Sequence, residues 1–209
     1  VEVALDGGNQ SLNLTNITTS DVSLVGGGAG TISISNMSSD LDASDLDATE
    51  ILSVTTSDLT LDITGGSSTS DSVTYTGGTG AYTGTLTAIE TFSSANDVTM
   101  ATSLVDGETI DFTGNGDIRL TGLVGGEDFS NLASSGSGAI VVVIAADETF
   151  SGTLNSSVTF DVEDGFTLTS TAALLDGISI SDDAQNAGAG TTSTVITNLH
   201  LTPAADLSS

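Results

Sequence analysis

Five acidic residues fall within eleven positions: Asp40, Asp42, Asp45, Asp47 and Glu50. Calcium takes about six to eight oxygen ligands, several of them carboxylates, so this stretch is the densest candidate source. A second set, Asp161, Glu163 and Asp164, runs into Gly165, whose conformational freedom permits a sharp turn. A third, Asp111 with Asn115 and Asp117, brackets Gly114 and Gly116. If no cation is bound, the same acids are solvated turn residues that keep the surface soluble.

Other chemistries find less support. A serine triad needs a histidine oriented by a carboxylate. The sole histidine, His200, lies between Leu199 and Leu201 and reads as an outward residue of a late strand. Thiol chemistry is excluded by the absence of cysteine. Paired carboxylates for glycoside cleavage exist in number, but two tyrosines and no tryptophan make a poor sugar platform. Arg119, between Ile118 and Leu120, reads as an outward strand residue paired to an acid. The glycine runs at 7–8, 26–28, 65–66, 77–78 and 125–126 lack a phosphate-loop or dinucleotide fingerprint and read as corners. Asn13, Asn16, Asn36 and Asn155 each begin an Asn-x-Ser/Thr sequon.

Charge narrows the field further. Arg119 is the only Lys or Arg against 28 Asp and Glu, a formal charge of −27. A chain without a cationic patch cannot neutralise phosphates, which argues against nucleic acid and anionic lipid as partners. The longest apolar run, Ala139 to Ala146, is too short to cross a membrane, so no insertion is expected. With 30 Ser, 33 Thr, 25 Gly and no Cys, the composition resembles that of extracellular surface proteins. The first residue is Val1, which suggests a processed product or a piece of a longer secreted chain.

The elements that must position these acids are short β-strands. Val, Ile and Thr are abundant and period-two alternation recurs almost continuously. One series begins at Val22, Leu41, Leu59, Val98, Ile118, Val158, Ile178 and Leu199, spaced at about 20 residues or its multiples. A second, half a period away, includes Leu12, Ile32, Leu52, Val73 and Ile110. Asp21, Asp40, Asp58, Asp97 and Asp117 each follow a small residue or Asn and precede an apolar one, where a carboxylate can hydrogen-bond local amides.

This pattern predicts an all-β fold: a β-solenoid, parallel β-helix-like, of about ten coils at ~20 residues per coil. An antiparallel β-sandwich is the alternative, since it also spaces strands about 8–12 residues apart. Residues 1–209 read as a single β-repeat domain. One repeat disturbs the count. Leu104-Val105-Asp106-Gly107 recurs as Leu174-Leu175-Asp176-Gly177, three and a half coils later, so either coil lengths vary or Gly125–Gly138 and Asp182–Thr194 carry insertions.

Leu61-Asp62-Ile63-Thr64-Gly65-Gly66, Tyr82 to Phe92 and Thr113-Gly114-Asn115-Gly116-Asp117 resemble the degenerate repeats around calcium nonapeptides in bacterial RTX-type adhesins and surface-layer proteins. The resemblance implies type I secretion, a cell-surface location and calcium-dependent folding. It departs from the nonapeptide G-G-x-G-x-D at Ser68 and Tyr82, and no intact copy is present.

These readings combine into one expectation: a non-enzymatic extracellular structural protein, a self-assembling module of a surface layer, adhesin or matrix filament, stabilised by calcium. Its partners are then further copies of itself or neighbouring domains of the same chain, with surface polysaccharide as another. A carbohydrate-active or glycan-binding β-helix is the alternative.

Overall fold

The computed structural model describes residues 2–5, 21–182 and 193–197. Leu12–Leu14, Leu199–Leu201 with His200, and the sequons at Asn13 and Asn16 lie outside them. The fold is a β-solenoid of about 8 turns with roughly 20 residues per coil. The antiparallel alternative fails because the strands pair parallel with the strand one coil on.

Residues group into two compact units. The first comprises Val1–Val98, Ile110–Gly116 and Ser135–Ser137; the second comprises Thr99–Thr109, Asp117–Ser134 and Gly138–Ser209. In the first unit one sheet runs Glu2–Ala4, Val22–Val25, Leu41–Asp42, Ile63–Thr64, Leu86–Thr87. The other contains Gly30–Met37, Glu50–Thr56, Ser72–Tyr75, Thr91–Ser94 and Ile110–Phe112. Within this second sheet Ile34, Val54, Val73, Phe92 and Phe112 stand opposite one another from coil to coil, all buried. The alternation that puts them inside follows from the two-residue period of a strand. The step along this column varies by no more than one position, so this sheet keeps the period and the first one absorbs the variation. There the step is uneven, and it lengthens from Val22 to Leu41, from Leu41 to Ile63 and from Ile63 to Leu86.

In the second unit Ile118–Thr121, Ile140–Ile144, Val158–Val162 and Ile180–Asp182 lie in one sheet. Leu120, Val142, Phe160 and Ile180 form its inward column. Two shorter sheets complete the coils, one pairing Asp128–Phe129 with Thr153–Leu154, the other joining Glu148–Thr149, Thr167–Thr171 and Ser193–Thr197. The longest coils are here, where Asp128 pairs with Thr153 and Leu168 with Thr194.

These unequal steps resolve the half-integral repeat. Leu104–Gly107 and Leu174–Gly177 are one corner built twice. Val105 and Leu175 are buried, and Gly107 and Gly177 both adopt φ 74°, which a side chain would strain. Two strands lie elsewhere than the apolar pattern predicts. Leu59-Thr60-Leu61 is buried corner rather than strand, with pairing deferred to Ile63–Thr64, and the strand expected at Ile178 begins at Ile180.

Large side chains cluster where the lumen allows. Tyr82, Phe92 and Phe112 meet edge to face at 6.1 and 6.2 Å, and Phe129, Phe150 and Phe160 make a second cluster at 6.1 and 5.5 Å. Phe92 is fully buried between the coils on either side of it. Phe92→Ala is expected to cost about 3–5 kcal/mol in urea unfolding. A loss below about 1 kcal/mol would mean that the column does not carry the stack.

Candidate functional site

The acids singled out by sequence do not converge. Among the described residues, no three Asp, Glu or His side chains come together to hold a metal ion. What they do instead depends on position in the coil.

At the outer corners the carboxylates accept backbone amides of the following coil. Asp40 Oδ1 accepts from the amide of Asp62 at 2.9 Å, and Asp62 Oδ1 in turn from Thr85 at 2.8 Å. Asp106 receives Asp128 N at 2.7 Å, and Asp128 receives the Thr153 hydroxyl in a short bond. Asp111 takes both the amide and hydroxyl of Ser135, at 2.9 and 2.6 Å. Asn115 accepts from Ser137 Oγ, Asp117 from Ala139 N, and Asp147 from Thr167 N. Of the five aspartates expected to bind local amides, Asp58 does so, through Thr60, whereas Asp40 and Asp117 reach across to the next coil.

Other aspartates cap their own turn through an Asp-x-Ser/Thr pattern. Asp42 accepts the amide and hydroxyl of Ser44, Asp47 those of Thr49 and Asp58 those of Thr60. The Ser44 hydroxyl and amide hold the Asp42 carboxyl below the usual range, and the Thr49 pair does the same for Asp47. The Ser130 side chain, the Thr153 hydroxyl and the Ser130 amide lower Asp128 to about 2. Asp45 is exposed, and Glu163 and Asp164 are half-buried beside the turn at Gly165, whose φ is 85°.

Two of the candidate ligands are internal. Glu50 is 2% exposed. Its Oε1 accepts from Gly27 N and Gly28 N, both at 3.1 Å, and its Oε2 from Asp47 N at 3.0 Å. The run Gly26–Gly28 is therefore a cradle for the chain's own carboxylate, and a Cβ on Gly26 would sit 2.1 Å from Glu50 Oε2. Asp161, 1% exposed, pairs with Arg119 Nη2 at 3.1 Å and accepts from Ser181 Oγ at 3.2 Å. Arg119 thus has the acid partner its strand position suggested, two coils away.

Sequence reasoning missed two more buried acids. Asp71 accepts Leu52 N at 2.8 Å and Gly66 N at 2.7 Å, and its own amide donates to Glu90 Oε2 at 2.9 Å. Glu127 accepts Val124 N, Gly125 N and the Thr102 hydroxyl. Burial pushes Glu127 up, but these bonds, with its own amide, outweigh it and leave the carboxyl below its ordinary value. The available signal was a glycine pair shortly before an acid or within a coil of one, as in Gly65-Gly66 with Asp71.

Two surface features remain. An open trough of about 520 Å³ on the first unit is lined by Asp21, Asp40, Asp42 and Asp62 with Ser23, Ser44 and Thr64. On the outward face of the regular sheet, Ser33, Ser53, Ser72 and Thr91 form one hydroxyl column and Ser35, Thr55, Thr74 and Ser93 a second. Ser and Thr alternate irregularly along these columns.

No family model, curated protein or solved structure matches the chain. The likeness to RTX-type repeats therefore rests on the quoted motifs.

Removing the Glu50 carboxylate strands three backbone donors in a buried cradle. Glu50→Ala is expected to lower stability by about 2–4 kcal/mol, with partial rescue by millimolar-range formate that leaves the parent chain unaffected. A change under about 0.5 kcal/mol would remove Glu50 from any structural role.

Acid should unfold the protein for the same reason. Asp42, Asp47, Glu127 and Asp128 have folded-state pKa values below their unfolded ones. Their contribution is therefore complete above about pH 4 and is lost as pH falls through the folded values, down to about 2 for Asp128. Measured in about 1 M NaCl, where the screening length is about 3 Å, the melting temperature should hold down to about pH 5 and then fall. A melting temperature that climbs between pH 4 and 2 would contradict this account.

Proposed function

We propose that the chain is a non-enzymatic structural module of an extracellular assembly, such as a surface layer, adhesin or matrix filament. One observation carries the reading: many of the described acids accept backbone amides, some of the neighbouring coil and some of their own turn, so polar groups that could serve a reactive cleft hold the fold instead. Sheet edges supply the means of assembly. Glu2–Ala4 and Ser193–Thr197 each end a sheet among the described residues, and an open parallel edge is a template for another strand from a second copy or a neighbouring domain.

Calcium enters this proposal between molecules. The trough aspartates engage amides mainly through Oδ1, and a carboxylate offers about four acceptor sites, so cations can bridge facing acidic surfaces without a cage inside one chain. A charge of −27 otherwise keeps copies apart.

A second reading, glycan binding, has its own support in the paired hydroxyl columns, which repeat at the strand spacing of about 4.8 Å on a face without aromatic platforms.

Light scattering and negative-stain microscopy at increasing protein concentration, with calcium and then with EDTA, test the proposal. Ordered oligomers that form in calcium and dissolve in EDTA are expected. A monomer at all concentrations in both would defeat it. Co-sedimentation of that monomer with an insoluble neutral polysaccharide would favour the second reading.

A further inference from the structure

We propose that Asn36 is an attachment site for an asparagine-linked glycan, an inference that rests on the extracellular reading above. Two of the five Asn-x-Ser/Thr sequons, Asn36-Met37-Ser38 and Asn155-Ser156-Ser157, fall among the described residues, and the fold treats them oppositely.

Asn36 lies in the strand Gly30–Met37 at the point where its register slips against Glu50–Thr56. Ser35 pairs with Thr55 and Met37 with Thr56, which leaves Asn36 as the extra residue of a bulge. It has φ 53°, a left-handed conformation that asparagine tolerates better than most side chains. Met37 is buried beside it, but Asn36 and Ser38 are exposed. The Asn36 side chain has no hydrogen-bond partner among the described residues. Its amide nitrogen is free to react, and nothing in the ladder is lost when it does.

Asn155 is built in. Its Nδ2 donates to Ser130 O at 3.2 Å, one coil back, and its Oδ1 accepts from Ser157 N at 2.9 Å. Modification at Nδ2 would break a bond between coils. Asn155 is thus an internal control of the same sequon type on the same chain.

The donor is an oligosaccharide activated through its anomeric carbon on a lipid-linked phosphate or pyrophosphate. Asn36 Nδ2 forms a bond to that carbon as the carbon–oxygen bond to phosphate breaks. The amide gives up one proton and the lipid phosphate leaves with the bonding pair. No oxidant or reductant is involved.

The test uses the purified, folded chain with an added oligosaccharyltransferase and a lipid-linked oligosaccharide. Intact mass, peptide mapping and glycan amidase, which converts the modified asparagine to aspartate, locate the product. Peptide mapping of the parent chain and of Asn155→Gln should each show a glycan at Asn36, and Asn36→Gln should show none at that position, with occupancy at the other sequons scored separately. A folded chain that remains unmodified at Asn36 overturns the proposal, whether or not a heat-unfolded sample accepts the glycan, and so does a glycan found at Asn155. Because the enzyme is supplied in the assay, the result does not depend on where the chain resides. Fractionation of the producing cells tests the extracellular reading separately.

Discussion

A coil that turns a corner takes backbone N–H groups out of the sheet ladders, and a buried or half-buried amide without an acceptor costs about as much as a lost hydrogen bond. The rest of the structure depends on how that need is met. Here the acceptors are carboxylates placed one coil away: Asp40 for Asp62, Asp62 for Thr85, Asp106 for Asp128, Asp117 for Ala139, Asp147 for Thr167. A carboxylate accepts through two oxygens and, being charged, binds an amide more strongly than a hydroxyl does. An excess of acids that looks like a surface property therefore also ties one coil to the next at the corners.

The glycine-rich segments meet the same constraint from the other side. Gly26–Gly28 closes on Glu50, Gly66 on Asp71 and Gly125 on Glu127, each turning amides toward a carboxylate supplied by the chain itself. Calcium roll repeats and the Gly65-Gly66 cradle share a glycine pair shortly before an acid, which is the point of likeness at Leu61–Gly66. The chemical difference is the direction of the ligand: amides around an anion in this chain, oxygens around a cation in the nonapeptide.

Apolar columns provide the cohesion and the acids fix the spacing. Ile34, Val54, Val73, Phe92 and Phe112 hold a nearly constant step, while the opposite sheet drifts to longer ones between Leu41, Ile63 and Leu86. One invariant face and one permissive face let coils vary in length without breaking register. Arg119 spans two coils to neutralise Asp161, the one buried acid of the described chain seen paired to a cation.

Much of the fold was legible in the sequence because its physics is local. Period-two alternation set the strands, and the recurrence of apolar segments set the coil. The errors at Leu59 and Ile178 arose because a buried corner and a buried strand share the same apolar composition. Three-dimensional placement decided the rest. Whether Asp42 caps its own turn and Asp40 the next coil depends on where amides lie across the gap between coils, which composition does not encode. Neither does the burial of Glu50 and Asp71, the paired hydroxyl columns, or the bulge that exposes Asn36 while Asn155 is tied to Ser130. The sequence by itself determined that coils form and stack; only the tertiary structure determined which acid meets which amide, because stacking joins residues that are a full coil apart in the chain.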